Sequence, residues 1–324
     1  MKEMITLASK SCEENSPSPA ASLMKFQNGN LIAYGGTFCI QIPCGIDADC
    51  AFRPEALLSF FRKDRSKVIY SISKNSRLVV KEGREKVIIP CLETSVMPII
   101  DIIGDEPVEC PKFPVAKALK AFLECIDPGE PRPSLQGVCF RDGKCYATDG
   151  KILMGYRSGL PKSFKFIVPV DTVKFMATLK QKVTAVSVGG KLSGYVKFYL
   201  DDGTTVCTNT LDPTEFPEVD QLLEIKGQKC KLHEDALTEI KGLKSAAVEV
   251  TNNYISYQSE GGSEGIINLD SGSTLFRFKV NRKRFHLLLS LSKDNTVFFH
   301  KGMISANSGK NFNIVLMGYG PTAK

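Results

Sequence analysis

The residues of this sequence best suited to chemistry are lysines and arginines that recur on six predicted helices. Those on the faces left over by the apolar stripes are Lys10, Arg62, Lys63, Lys117, Lys120, Lys174, Lys180, Lys241, Lys244, Arg282, Lys283 and Arg284. Such cations neutralise phosphates without reading bases, which favours sequence-independent contact with duplex DNA. Cations at helix C-termini also complement the helix dipole, and this alternative explains the positions of Lys63 and Lys244. It does not explain the basic run at 282–284, because a helix starts there.

The composition is that of a globular protein with a modest positive charge. The 324 residues are 43% hydrophobic, enough for two or three cores, and the net charge of +7 fits a solvated surface as well as a DNA contact. No apolar run approaches the ~20 residues needed to span a membrane. The first residues, MKEMITLASKSCEEN, do not resemble a signal sequence. We therefore expect a cytoplasmic protein without membrane contact.

The sequence has none of the common motifs of catalysis. It lacks a Gly-rich phosphate loop with Lys-Ser/Thr, a His-Glu-x-x-His pair and a nucleophile elbow. His233, His286 and His300 are interpreted as structural residues. The carboxylate pairs Asp201-Asp202 and Glu13-Glu14 lie in turn-like or loop sequence, where solvated turns are commoner than metal dyads. We predict that the chain is not an enzyme and needs no cofactor.

Cysteine is frequent, with 11 residues in the chain, but its placement does not indicate disulfides or zinc. Several cysteines occupy apolar strand positions, where cysteine behaves as a small hydrophobic residue. Cys39, Cys44 and Cys50 are close in sequence, yet no histidine is near them. We expect reduced cysteines and no metal.

The elements that must position the cations repeat one pattern three times. A short strand runs into an apolar helix at Pro54, Pro169 and Asn281, a spacing of about 115 and then about 112 residues. Proline suits a first helical turn because its missing N–H would be unbonded there, and asparagine caps a helix with its side chain. We therefore predict an α+β chain of three domains with one topology, at residues 1–110, 111–223 and 224–324.

Each repeat begins with a second helix and a further group of strands. These helices are predicted at 1–12, 115–125 and 234–245. Hairpin turns are predicted at Asn28-Gly29, Asp142-Gly143 and Asn252-Asn253, since Asn, Asp and Gly tolerate the positive φ angles of two-residue hairpins. The unit is helix, strands, helix, strands, and its length is ordinary for a domain.

Several stretches resemble one known family. L-Q-G-V-C-F at 135–140, followed by Y-A-T-D-G-K-I-L at 146–153, is similar to L-N-G-V-x-F and V-A-T-D-G-H-R-L in the middle domain of bacterial sliding clamps, the DNA polymerase III β subunit family. F-I-V-P at 166–169 and L-D-P-T-E-F-P at 211–217 are similar to its x-I-V-P-R and L-I-D-G-x-F-P-D-Y. Weaker similarity at 86–92 and 315–317 extends the resemblance over nearly the whole chain.

The resemblance implies a ring around DNA. Two chains of three clamp domains would join head to tail, with helices lining the hole and antiparallel sheets outside, paired through edge strands at domain and subunit boundaries. A closed ring retains DNA by topology, so weak and salt-screened contacts suffice. The implied function is a DNA polymerase processivity factor whose partners are duplex DNA, DNA polymerase, the clamp loader and a second copy of itself.

The resemblance also implies a pocket between the second and third domains that receives a short apolar peptide from partner proteins. Its matching positions are Leu135, Thr148, Gly150, Lys151, Ile152, Leu153, Pro217, Gln221, Leu222, Val315, Leu316, Met317, Gly318 and Tyr319. The sequence departs from the family where Lys-Ile replaces His-Arg at 151–152, Asp-Gln-Leu replaces Arg-Arg-Val at 220–222, and Met-Gly-Tyr at 317–319 replaces Met-Pro-Met. Plain core packing is the alternative for Leu135, Leu153, Val315 and Leu316, and a simple turn is the alternative for Asp149-Gly150.

Two other functions stay open. A clamp-fold decoy or scaffold would bind clamp-interacting peptides without encircling DNA, and the altered pocket and divergent outer domains favour it. Its mass in solution would distinguish it from a ring, which needs an even number of three-repeat chains. An enzyme would require metal-dependent hydrolysis of nucleic acid or nucleotide by the purified protein.

Overall fold

The computed structural model describes residues 1–12, 18–63, 65, 67–73, 75–97, 106–111, 113, 116–189, 194–224, 227–232, 236–242, 247–251, 254–258, 264–268, 277–300, 302–308 and 312–319. Within them the helices are α1 (Lys2–Ser9), α2 (Pro54–Phe60), α3 (Ala116–Leu123), α4 (Val170–Met176), α5 (Asp220–Leu223), α6 (Ala236–Gly242) and α7 (Arg282–Leu291). None of these helices is both long and apolar enough to cross a membrane.

The strands in the same ranges pair in antiparallel fashion, which confirms the predicted α+β class with antiparallel sheets. They are β1 (Met24–Gln27), β2 (Asn30–Tyr34), β3 (Phe38–Pro43), β4 (Cys50–Phe52), β5 (Ile69–Ser73), β6 (Arg77–Glu82), β7 (Glu85–Pro90), β8 (Val108–Glu109), β9 (Gly137–Arg141), β10 (Lys144–Thr148), β11 (Ile152–Arg157), β12 (Phe166–Pro169), β13 (Val183–Val188), β14 (Tyr195–Leu200), β15 (Thr205–Asn209), β16 (Gln228–Lys231), β17 (Ala247–Thr251), β18 (Tyr254–Gln258), β19 (Glu264–Asn268), β20 (Arg277–Asn281), β21 (Thr296–His300), β22 (Met303–Ser308) and β23 (Phe312–Met317).

Local sequence signals account for the starts of several helices. α2 begins at Pro54, and the side chain of Asn281 caps α7 by accepting a hydrogen bond from the N–H of Arg284 at 3.2 Å. α4 begins one residue after Pro169, which is the last residue of β12. α1, α3 and α6 fall inside the predicted helical ranges, parts of which, at 115, 234–235 and 243–245, lie outside the described residues.

Two of the predicted hairpin turns have the expected geometry. Asn28 and Gly29 have φ angles of +51° and +73°, and Asp142 and Gly143 have +53° and +75°. Two successive positive φ angles define the turn whose twist matches that of the flanking strands. The β1–β2 and β9–β10 hairpins are therefore set locally, whereas the third predicted turn, at 252–253, lies outside the described residues.

The chain divides into two compact units, each built from two separate stretches: 1–116 with 171–211, and 117–170 with 212–324. The first unit holds an eight-stranded sheet in the order β4-β1-β2-β3-β15-β14-β13-β8 and a sheet in the order β5-β6-β7. The second unit holds an eight-stranded sheet in the order β12-β9-β10-β11-β23-β22-β21-β16 and a sheet in the order β19-β18-β17-β20. Each eight-stranded sheet thus combines two chain segments that are far apart in sequence.

The two segments meet in the middle of each large sheet through ordinary strand pairing. Ile40 of β3 is opposite Val206 of β15, and Leu153 of β11 is opposite Val315 of β23. In both cases the third strand of one group pairs with the last strand of another, and the pairing crosses a predicted domain boundary. The boundaries themselves, at 110/111 and 223/224, stay predictions.

Aromatic side chains form much of the core of each unit. In the first unit the rings of Phe26 and Phe52 lie 5.1 Å apart, and in the second those of Phe140 and Phe166 lie 4.9 Å apart. All four side chains are at most 2% exposed. Burial of each such side chain contributes about 1.5–3 kcal/mol, so these pairs stabilise the contact between neighbouring strands, β1 with β4 and β9 with β12.

Candidate functional site

The turn between β10 and β11 is fixed by its own side chains. Thr148 Oγ1 accepts a hydrogen bond from the N–H of Gly150 at 3.0 Å, and Asp149 Oδ1 accepts from the N–H groups of Lys151 at 2.9 Å and Ile152 at 3.0 Å. Gly150 has a φ of +80°, a conformation that favours glycine. Asp149-Gly150 is therefore a turn, and it presents Gly150 and Lys151 to solvent.

Burial divides the expected pocket residues into two groups. Six of them are at most 6% exposed and pack as core: Leu135, Thr148, Ile152, Leu153, Val315 and Leu316. Gly318 is half-buried, and the exposed positions are Gly150, Lys151, Pro217, Gln221, Leu222, Met317 and Tyr319. A partner could contact the exposed group without rearrangement of the core, so the buried group shapes the surface from beneath.

Residues 317–319 are held on both sides by backbone hydrogen bonds. The N–H of Met317 donates to the carbonyl of Lys151 at 2.8 Å, and the N–H of Gly318 donates to the carbonyl of Gly302 at 2.7 Å. Tyr319 exchanges two backbone hydrogen bonds with Lys279, at 2.8 and 2.9 Å. A Cβ at Gly318 would overlap the ring of Phe278, which explains glycine at this point of close approach.

α5 lies against β11 and β23 because glycine at position 155 leaves room for it. A Cβ at Gly155 would overlap the side chain of Leu223, which is 9% exposed. This packing leaves the neighbouring Leu222 36% exposed, while Met317 at the end of β23 is 40% exposed and Tyr319 is 51% exposed. These three apolar side chains, Leu222, Met317 and Tyr319, are here called the exposed apolar trio.

Arg141 holds the segment that leads into α5. Its guanidinium is 8% exposed and donates to the carbonyl of Pro217 at 2.9 Å and to Glu218 Oε1 at 3.1 Å. The same group lies over the rings of Tyr146 and Phe216, with distances of 5.3 and 5.5 Å to the ring centroids. Arg141 is not among the residues expected from the sequence, since a lone arginine in a strand has the pattern of a solvated residue.

Asp220, the first residue of α5, is the second anchor of this segment. Its Oδ1 accepts hydrogen bonds from Lys144 Nζ at 2.6 Å and from the hydroxyl of Tyr146 at 2.8 Å. Burial acts to raise the pKa of the Asp220 carboxyl, but the hydrogen bonds from Lys144 and Tyr146, together with the charges of Lys144 and Arg141, hold that pKa below its ordinary value. Asp220 is therefore ionised at neutral pH.

The expected DNA-facing cations are mostly at the surface. The exposed ones are Lys10, Arg62, Lys63, Lys117, Lys120, Lys174, Lys180, Lys241 and Lys283, and Lys244 lies outside the described residues. In the first unit a cleft of about 880 Å³ is lined by Met1, Lys2, Lys10 and Lys180. A second cavity of about 300 Å³ shares Lys10 and adds Lys174. The fold thus brings cations from α1, from α4 and from the segment after α4 to neighbouring concave surfaces.

The other two expected DNA-facing residues, Arg282 and Arg284, are half-buried and bonded within the second unit. Arg282 Nη1 donates to the carbonyl of Lys241 at 2.9 Å, which ties α7 to α6. Arg284 Nη2 forms an ion pair with Asp149 Oδ2 in the β10–β11 turn. Of the basic run at 282–284, only Lys283 extends fully into solvent.

Cysteine, aspartate and histidine side chains are the ones that the sequence offers for catalysis. In the described residues their surroundings are those of residues that stabilise the fold. All eleven cysteines are free, and burial raises the pKa of the Cys207 thiol to about 12, which leaves it protonated and unreactive at neutral pH. Asp202 Oδ1 accepts from the N–H of Thr204 at 2.9 Å, as in an ordinary turn. Burial, with the charges of Lys241 and Arg282, lowers the pKa of His286 on α7. His233 and Glu13-Glu14 lie outside the described residues.

No protein-family model and no curated protein matches the sequence of this chain. Solved structures match its fold along the whole chain. The DNA polymerase sliding clamp of Bacillus subtilis matches with a TM-score of 0.81 at 12% identity, over 99% of this chain and 97% of that one. The Helicobacter pylori beta clamp bound to a DNA ligase peptide matches with a TM-score of 0.80 at 13% identity, over 99% and 97%.

A third structure, the DNA polymerase III subunit beta of Pseudomonas aeruginosa, matches with a TM-score of 0.77 at 15% identity, over 98% of this chain and 97% of that one. These matches confirm the fold expected from the sequence resemblance. The chain has the sliding-clamp fold.

Proposed function

We propose that this chain is a sliding clamp, a non-enzymatic processivity factor that encircles duplex DNA in the cytoplasm and tethers DNA polymerase to it. The observation that carries the proposal is the likeness of the entire chain to sliding clamps of known structure, with a TM-score of 0.81 over 99% of its length. Function does not follow from fold alone. The proposal therefore also rests on surfaces suited to three tasks: contact with DNA, closure of the ring and capture of partner proteins.

The first task is contact with DNA. Lys10, Lys174 and Lys180 line concave surfaces of the first unit, and Lys241 and Lys283 are exposed on α6 and α7 of the second. Scattered lysines suit transient contact with phosphates, because each is a flexible point charge that fixes no geometry. Such contacts would let a ring slide along DNA rather than grip it.

The second task is closure of the ring. In both large sheets the third strand of one group pairs with the last strand of another, β3 with β15 and β11 with β23. The same rule, applied to the two smaller sheets, matches β19 with β7 of a second copy, and each of these strands is an edge in the described sheets. Ile88 of β7 is 45% exposed and Ile266 of β19 is 63% exposed, so each edge offers an apolar side chain to cover.

The third task is the capture of partner proteins. The exposed apolar trio lies beside a turn, an arrangement suited to anchor a short apolar peptide. DNA polymerase and the clamp loader are the partners that we propose for this surface. A peptide from DNA ligase is bound by the Helicobacter pylori clamp, which has the same fold.

The test of this proposal combines oligomeric state with DNA topology. The mass of the full chain should be that of a dimer across a dilution series, and the protein should stay on nicked circular DNA in high salt but slide off the same DNA once it is linearised. A monomer at every concentration, with peptide binding intact, would instead support the decoy or scaffold. Equal retention on circular and linear DNA would contradict a closed ring.

A further inference from the structure

The ion pair between Arg284 and Asp149 joins two elements that are far apart in sequence. Arg284 is in the first turn of α7, and its Nη2 pairs with Asp149 Oδ2 in the turn between β10 and β11. The Asp149 side chain is only 5% exposed and that of Arg284 is 24% exposed. Since a charge removed from water is costly unless it is paired, each of these groups depends on the other.

The other carboxylate oxygen of Asp149 holds the turn itself. Oδ1 accepts the N–H groups of Lys151 and Ile152, at 2.9 and 3.0 Å. The carbonyl of Lys151 in turn accepts the N–H of Met317, at 2.8 Å. A continuous path of polar contacts therefore leads from Arg284 through Asp149 and Lys151 to Met317, a member of the exposed apolar trio.

The thiol of Cys125, just beyond α3, is close to this ion pair. Burial raises the pKa of Cys125, the charge of Asp149 adds to the rise, and the charge of Arg284 opposes it. Cys125 itself is 0% exposed. The pair therefore joins the β10–β11 turn to the start of α7 and lies within electrostatic range of Cys125.

The repeat pattern shows that the position of Arg284 faces inward. Arg284 is the third residue of α7, and the third residues of α2 and α4 are Ala56 and Thr172. Ala56 is half-buried, and Thr172 is 0% exposed, with its Oγ1 lying 2.7 Å from Thr208 Oγ1. In the three repeats this position is partly or fully buried, whereas the residue before it, which is Glu55, Asp171 or Lys283, is exposed.

We propose that Arg284 is a positioning residue of the partner-binding surface and not a DNA contact. This inference rests on the proposed function and assigns one of the expected DNA-facing cations to the other surface. Arg284 holds Asp149, Asp149 holds the amides of Lys151 and Ile152, and the turn so fixed sets the position of Met317. The guanidinium thus acts on a bound peptide through the turn, without touching the peptide.

The test compares Arg284→Met with Lys283→Met, a matched variant that removes the same charge from the adjacent, solvent-facing position. The first readout is hydrogen exchange at the amides of Lys151 and Ile152, which should become faster in Arg284→Met and stay unchanged in Lys283→Met. The second is the affinity for a labelled copy of the DNA ligase peptide that the Helicobacter pylori clamp binds. Arg284→Met should weaken it about tenfold, and Lys283→Met should affect only DNA retention.

Arg284→Met leaves a buried, unpaired carboxylate, so Asp149→Asn/Arg284→Met is the variant of choice if the single change unfolds the protein. The introduced amide keeps an oxygen for the two N–H groups, while its NH2 group offers no acceptor to α7, so the tie is lost without a buried charge and peptide affinity should again fall relative to wild type. Unchanged exchange and unchanged peptide affinity in the Arg284 variants would overturn the inference, as would a loss of DNA retention equal to that of Lys283→Met. If wild-type protein did not bind the peptide, the partner-binding part of the proposed function would fail, while the exchange rates would still decide whether Arg284 holds the turn.

Discussion

Lys144 and Asp220 form an ion pair of 2.6 Å that connects the start of β10 to the start of α5. The hydroxyl of Tyr146, two residues further along β10, donates to the same carboxylate oxygen at 2.8 Å. One strand thereby fixes the helix that carries Leu222. The exposed apolar trio depends on this attachment for its shape.

Asp220→Ala should destabilise the second unit by about 1.5–3 kcal/mol, because two hydrogen bonds to a charged group are removed. The pKa of Asp220 is lowered in the folded protein, so its contribution to stability is complete above the ordinary aspartate value of 3.8 and is lost as the pH falls below it. Urea unfolding at neutral pH and at about pH 3 should show this loss in wild-type protein and a smaller one in Asp220→Asn. An equal loss in both would show that other carboxylates dominate.

Ring closure predicts a specific effect of Ile88→Lys. A lysine on the edge strand β7 would place a charge where a second copy is proposed to cover an apolar side chain, and the dimer dissociation constant should rise at least about tenfold. Ile69→Lys is the matched control, because Ile69 is 66% exposed on the same face of the same sheet but on the opposite edge strand, β5. Sedimentation of both variants over a dilution series gives the answer, and equal behaviour of the two would argue against the β7 seam.

If the exposed lysines contact DNA phosphates, the removal of each lysine should lower the salt dependence of DNA binding by a similar, additive amount. Lys10→Met, Lys180→Met and Lys283→Met should each reduce the slope of log affinity against log salt by about 0.9 for every phosphate that is no longer neutralised. Lys229→Met serves as the control, since Lys229 is also exposed but lies on strand β16 and not on a helix. Binding should be measured to circular DNA over a range of salt. If Lys229→Met changed the slope as much as the others, the effect would be one of net charge alone.

Partner binding predicts that Tyr319→Ala lowers polymerase stimulation and weakens peptide binding about tenfold, because exposed tyrosines at such surfaces often contribute more than about 1 kcal/mol. Tyr195→Ala is the matched control, as Tyr195 is 46% exposed on β14 of the first unit. Thermal stability should stay close to wild type in both variants. A variant with charge at Leu153 is a poor test, because that side chain is 5% exposed and its change would disrupt the core.

Features encoded by a few neighbouring residues could be predicted from the sequence. The turns at Asn28-Gly29 and Asp142-Gly143 were predictable because few residues adopt positive φ, and the start of α7 because Asn281 can accept the N–H of Arg284. The fold was predictable from short motifs that resemble a family. The turns and the helix start are determined by interactions between neighbouring residues. The fold was predictable because its sequence motifs are shared with a known family.

Features that depend on distant partners could not be predicted. Arg141 and Arg284 have the pattern of surface cations because the sequence does not reveal that a carboxylate lies opposite each one. Leu153 could be assigned to core or pocket until its pairing with Val315 was known. A charge or an apolar residue indicates what a side chain can do, but its partner decides what it does.

The pairing of β3 with β15 has a consequence for the order in which the protein can fold during synthesis. β3 ends at Pro43, but its partner strand β15 begins only at Thr205. The ribosome must therefore synthesise all the residues between them before the first large sheet can form completely. In the same way, β11 stays unpaired on one side until β23 has been synthesised. Each nascent unit therefore exposes an open strand edge for much of translation, and we expect the growing chain to need protection by chaperones until its last strands emerge.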